Sequence, residues 1–224
     1  MLILLIVLAL AIFVLPNLWA KWVLKRYTRG RDDYPGTGAE LAEHLIRRMG
    51  VEGVRVERTE QGDHYDPEAR CVRLTPDHYD GRSLTAVTVA AHEVGHAIQH
   101  HEGYAPLLAR SRLVQVAQKA EKLGAILMMA APFLFLLTRL PGGLAMIVVM
   151  AVISFGTAAL VHLVTLPVEF DASFNRALPL LKEYVPPADM AGARHVLTAC
   201  AFTYVAASLA SVMNLGRWLV ILRR

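Results

Sequence analysis

Long apolar runs alternate with polar segments along this chain. The first run, "LILLIVLALAIFVLPNLWA" at residues 2–20, has Asn17 as its lone polar side chain. Further runs cover about 123–138, 144–166 and 197–216. A helix of about 20 apolar residues spans a bilayer, so the pattern predicts about four transmembrane helices. No Lys or Arg precedes the first run and no AxA-like site follows it, so it reads as a retained anchor rather than a signal peptide. "RLPGG" makes a short turn that joins the second and third runs into a hairpin.

The polar segments carry their own periodicities. "TGAELAEHLIRRMG" predicts a helix, with Thr37 and Glu40 as a capping box and Gly50 as its stop. "VEGVRVER" alternates as a half-buried strand does, and "RCVRLT" is a second short strand. Between them, "EQGDHYDPEA" has turn chemistry in Gly62, Asp66 and Pro67. "GRSLTAVTVAAHEVGHAIQHHEG" reads as a long helix from an N-cap at Ser83 to Gly103. "APLLARSRLVQVAQKAEKL" is helical and basic, and leads into the second apolar run. The expected organisation is an anchor at 1–26, a polar catalytic region at 27–122, a transmembrane hairpin at 123–166, a polar segment at 167–196 and a last transmembrane helix and tail at 197–224.

A hairpin returns the chain to the side it left. The two polar segments therefore face one compartment and can build one site. Lys21, Lys25, Arg26, Arg29, Arg31, Arg110, Arg112, Lys119 and Lys122 flank the runs on that side, and Arg139 lies in the opposite turn. The positive-inside rule makes the polar face cytoplasmic, at a bacterial inner membrane, although Arg217, Arg223 and Arg224 run against it. Composition agrees with a membrane protein: 55% hydrophobic residues and a mean hydropathy of +0.40. The net charge of +4 brings no aromatic-interleaved basic patch, which argues against nucleic acid as a partner. Cys71 and Cys200 form no CxxC pair, so neither a disulfide nor a cysteine zinc site is expected.

The chemistry sits in "HEVGH". Residues four apart on a helix share a face, so His92 and His96 can point two imidazoles at one ion. Zinc suits nitrogen ligands and a tetrahedral site with one position open to water. Glu93 is placed to act as general base on that water. A third protein ligand is needed. The longer HExxHxxGxxH pattern fails at Gln99 and Glu102. His100 continues the same face, but one straight helix cannot fold three successive turns around one ion. Glu121, between Lys119 and Lys122, is accounted for as a solvated ion pair. Glu169, in "LPVEFDAS", stands just beyond the third run on the correct side, with small Ala172 and Ser173 one turn away.

Together, "VAAHEVGHAIQH", "GYAPL", "LVTLPVEFDAS", "DHYDP" and "FTYVAAS" resemble the membrane zinc metallopeptidase family of the YugP type over most of the chain. More distantly they are similar to the HtpX-like and CAAX-prenyl-type membrane gluzincins. The resemblance implies a zincin-like α+β polar domain, Zn2+ as cofactor, His92, His96 and Glu169 as ligands, and Glu93 as base. In the distant relatives an Asp four positions after the ligand Glu supports a ligand His. Here Asp171 follows by two, which on a regular helix points it elsewhere.

Other residues have two readings each. His195 and Tyr204 are candidate oxyanion donors or packing residues, and His100 is a candidate for a place around the metal. His162 in the third run is a functional suspect or a structural hydrogen bonder. "RCVRLT" is an ordinary core strand or an edge for strand addition by substrate. Arg176 binds a substrate carboxylate or a lipid headgroup. The expectation is a membrane zinc endopeptidase whose partners are the lipid bilayer and polypeptide substrates, membrane proteins among them. The alternative is a non-enzymatic scaffold or quality-control adaptor braced by zinc. A transporter is disfavoured because the charged residues lie outside the apolar runs.

Overall fold

A computed structural model describes residues 15–138 except 32 and 35, residue 161, and residues 164–202. Most of the third apolar run, His162, Tyr204 and the greater part of the fourth run lie outside the described residues.

Helix α1 covers 15–26, and α2 runs Gly38–Arg48. Strands β1 (Arg55–Arg58), β2 (His64–Asp66) and β3 (Cys71–Leu74) follow, then a short α3 (Pro76–Tyr79). Helix α4 is Leu84–His101 and α5 is Ala105–Thr138. Helix α6 covers 164–181, with a π-helical middle at Asp171–Ala177. A 3-10 turn at Pro187–Asp189 leads into α7 at 190–202.

Local chemistry explains the helix ends. At α2, the Thr37 hydroxyl accepts from the Glu40 N–H at 3.2 Å, and the Glu40 carboxylate accepts from the Thr37 N–H at 2.7 Å. That is the capping box the sequence predicts. At α4, Ser83 accepts from the Ala86 N–H at 3.1 Å, and the chain leaves the helix through Gly103 at φ +66°. Leu41, Ala42, Leu45 and Ile46 turn one face of α2 into the core, where it packs on α4.

Helix α4 is the centre of the molecule. Every residue from Leu84 to Gln99 is buried, so the helix is enclosed on all sides. Helix α2, the sheet, α3 and α6 pack around it. Gly95 permits a close approach of α6: a Cβ there would lie 2.7 Å from the Ala172 carbonyl oxygen.

The sheet order is β1-β3-β2, with β1 parallel and β2 antiparallel to β3. Both edges of β3 are therefore paired, which rules out strand addition at "RCVRLT". The edge strand on that side is β2.

The expected fold class needs correction. Among the described residues no helix is long and apolar enough to cross a membrane. The described residues are mainly helical, with one small sheet among them. Helix α5 shows why. Its apolar stretch, 123–138, is about 24 Å long as a helix, short of the ~30 Å of hydrocarbon. Glu121 and Lys122 precede it directly.

Candidate metal centre

His92 and His96 lie one turn apart on α4, with ring centroids 4.8 Å apart in an edge arrangement. The Nε2 atom of each lies 3.3 Å from Oε2 of Glu169 on α6. All three side chains are buried, and Glu169 is completely so. Among the described residues, neither carboxylate oxygen of Glu169 has a hydrogen-bond partner. The imidazole contacts are thus close but unaligned as hydrogen bonds. A buried carboxylate without hydrogen bonds is costly unless a cation compensates it.

The donor set fits zinc. Two bonds of about 2.0–2.1 Å meeting at a tetrahedral angle place their donor atoms about 3.3–3.5 Å apart. That is the spacing of Oε2 from both imidazoles. Three donors of this kind leave a fourth position open.

The electrostatics point the same way. Burial alone would push the Glu169 carboxyl up, but His96 and His92 outweigh it and hold the group well below the usual carboxylate range. Burial favours neutral His96, yet the Glu169 charge overrides this and raises its pKa. Burial raises the pKa of Glu93, against the pull of His92 and His96.

The imidazoles are held from behind. Gln99 Nε2 donates to the Val168 carbonyl and to Asp171 Oδ2, both at 2.8 Å. Its Oε1 must then accept from His96 Nδ1–H, at 2.9 Å. Ser173 donates to the Leu197 carbonyl at 3.4 Å, so it accepts from His92 Nδ1–H at 3.0 Å. Each ring therefore keeps its Nδ1 proton and turns an Nε2 lone pair to the centre. Asp171 is fixed in turn by Arg176 Nε at 2.7 Å and Asn175 Nδ2 at 3.0 Å, and Arg176 also pairs with Glu102 at 2.7 Å.

Asp171 thus supports His96 through Gln99, not directly. It lies off the Glu169 face, as its two-residue spacing predicts, and the length of the Gln99 side chain carries the contact; the π-helical turn Asp171–Ala177 sets Asp171 and Arg176, five residues apart, on one face. Gln99 and Ser173 are the residues sequence reasoning missed. Their signal was positional: Gln99 lies three residues after His96, and Ser173 four after Glu169.

A cleft of ≈ 270 Å³ opens beside the centre and is lined by both Glu93 and His96. His64, Tyr65, Pro67 and Glu68 form one wall. The other is a single face of α5: Leu107, Arg110, Ser111, Val114, Gln115 and Gln118, spaced at one helical turn.

The remaining candidates lie elsewhere. His100 Nδ1 meets the Tyr65 hydroxyl at 2.8 Å, outside the donor set, and burial followed by the Arg70 charge lowers its pKa. His101 is exposed. His195 Nδ1 meets the Tyr27 hydroxyl at 3.3 Å. Asp66 belongs to the turn, accepting from the N–H groups of Glu68 and Ala69, both at 3.0 Å.

Residues 2–223 match the profile of a family described as "Putative neutral zinc metallopeptidase". The chain belongs to this family. Zinc is the cofactor that goes with it, and His92, His96 and Glu169 are the group able to hold the ion. The chain is also 38% identical over 212 residues to a Bacillus subtilis (strain 168) protein named "Putative membrane protease YugP", covering 92% of this chain and 91% of that one. No solved structure matches.

Proposed function

We propose that this family member is a zinc metalloendopeptidase in which His92, His96 and Glu169 hold the ion and Glu93 is the general base. The observation that carries the reading is the Oε2 atom 3.3 Å from both Nε2 atoms, at the edge of a cleft that Glu93 also lines. Bound zinc would polarise the scissile carbonyl and acidify a water. Glu93 takes the proton from the attacking water as its oxygen adds to the carbonyl carbon. It then delivers that proton to the amide nitrogen as the C–N bond breaks, leaving a carboxylate and an amine. Burial raises the Glu93 pKa, which suits a group that must accept a proton and return it.

The cleft lies between edge strand β2 and α5, a setting that suits an extended polypeptide rather than a compact ligand. The relative's name supports a membrane-bound location with membrane-proximal polypeptides as substrates. The basic residues Lys21, Lys25 and Arg26 of α1 favour a cytoplasmic cleft. A purely structural zinc is less well supported, because such sites are closed by a fourth protein ligand and need no base beside them.

One experiment tests this with purified full-length protein. E93Q should retain zinc and lose hydrolysis of an unfolded polypeptide, and E169A should lose zinc. Undiminished turnover in E93Q, or full zinc in E169A, refutes the assignment.

A further inference from the structure

We propose that Arg110 is a catalytic residue whose guanidinium binds the oxyanion formed on the substrate carbonyl. This rests on the zinc peptidase reading above. Arg110 lies on the face of α5 that lines the cleft, and its NH1 is 3.8 Å from Oε1 of Glu169. The imidazoles contact the other carboxylate oxygen, Oε2. Arg110 therefore reaches the centre from the oxygen the histidines leave alone. Its side chain is only 24% exposed, so its charge acts in a partly desolvated cleft where it counts for more than in water.

Hydrolysis moves negative charge onto the carbonyl oxygen; the Gln115 and Gln118 amides in the cleft are neutral donors, and a charged donor offsets that charge better. Among the described residues, Arg110 is the one Arg or Lys in its lining. The His64 Nδ1–H is already used, donating to the Gly62 carbonyl at 2.8 Å. The Tyr65 hydroxyl is engaged by His100. His195 pairs with Tyr27 and does not line the cleft. Arg110 also stays charged throughout the cycle, whereas Glu93 must change protonation.

The test compares two ligands on zinc-loaded full-length protein by calorimetry. One is a phosphinic peptide, a tetrahedral anion. The other is the matching peptide hydroxamate, a chelator without the tetrahedral anion. Both carry amidated C-termini. R110Q should lose about 10²-fold in phosphinate affinity, the size expected for removing one oxyanion donor, and keep hydroxamate affinity and zinc stoichiometry. R110K should fall between the two, and serves alone if R110Q does not fold. Equal losses for the two ligands overturn the proposal, as does loss of zinc, which would make Arg110 a brace for Glu169. Unchanged phosphinate affinity in R110Q also overturns it; if a third ligand, the phosphinate with a free C-terminal carboxylate, then shows the loss, Arg110 anchors a chain end. If wild-type protein loaded with zinc binds neither ligand, the peptidase reading itself fails.

Discussion

Replacing Gly95 with alanine tests whether the closeness of α4 and α6 sets the metal geometry. The new Cβ would sit 2.7 Å from the Ala172 carbonyl oxygen, where ordinary contact begins at 3.4 Å. The difference, 3.4 − 2.7, is about 0.7 Å of required movement. The obstructing atom is backbone, so no side chain can swing aside. Ala172 is one turn from Glu169, so Oε2 is carried away from the imidazoles as α6 moves. A binding constellation tolerates about 0.5 Å of displacement. Overpacking of this kind costs about 1–3 kcal/mol.

The better helix propensity of Ala, about 1 kcal/mol, offsets part of this, so G95A should lower unfolding free energy by about 0–2 kcal/mol net. Zinc affinity should fall about 10–100-fold, the range seen when ligand orientation is disturbed. Denaturant unfolding of the apo protein measures the first quantity. Chelator competition measures the second. Wild-type values in both assays would refute the claim that Gly95 is kept small by the α4–α6 contact. A loss of stability with unchanged zinc affinity would mean that α6 yields without moving Glu169.

Two further outcomes follow from partners around the site. Q99L removes the acceptor of His96 Nδ1–H with little change in volume, and should cost about 10–100-fold in zinc affinity, read by the same competition assay. Asp63 is half-buried against His78 and Thr75. Burial pushes its carboxyl up, but the His78 contact at 2.8 Å and the Thr75 hydrogen bonds outweigh it and hold the pKa below its usual value. Because the folded pKa is depressed, the stabilisation is present above the unfolded value of about 3.9 and is lost as pH falls through the folded value. D63N should lower stability by about 1–2 kcal/mol at pH 7 and flatten the acid limb of the stability profile below about pH 4, measured by urea unfolding across pH.

What the sequence disclosed was what local chemistry decides. The caps at Thr37 and Ser83, the turn through Gly103, the strands around Val56 and Val72 and the shared face of His92 and His96 each depend on residues within a few positions. Glu169 was reached by a topological argument from transmembrane spans, and the described helices do not supply those spans. Close packing brings it to the histidines, through Gly95 on α4 and a π-helical turn on α6. Neither is visible as periodicity. A glycine within HExxH reads as a weak helix former until the neighbour it makes room for is known. A spacing rule leaves Asp171 off the Glu169 face, and only the Gln99 side chain, reaching across from α4, ties it to the site. Gln99 was misjudged for a related reason. In the longer motif its position belongs to a glycine, so it reads as a mismatch, while its amide serves the ligand beside it. The motif therefore names the atoms that face the ion. How firmly they face it depends on residues that no spacing rule selects, and those residues are where the variants above should separate metal affinity from fold stability.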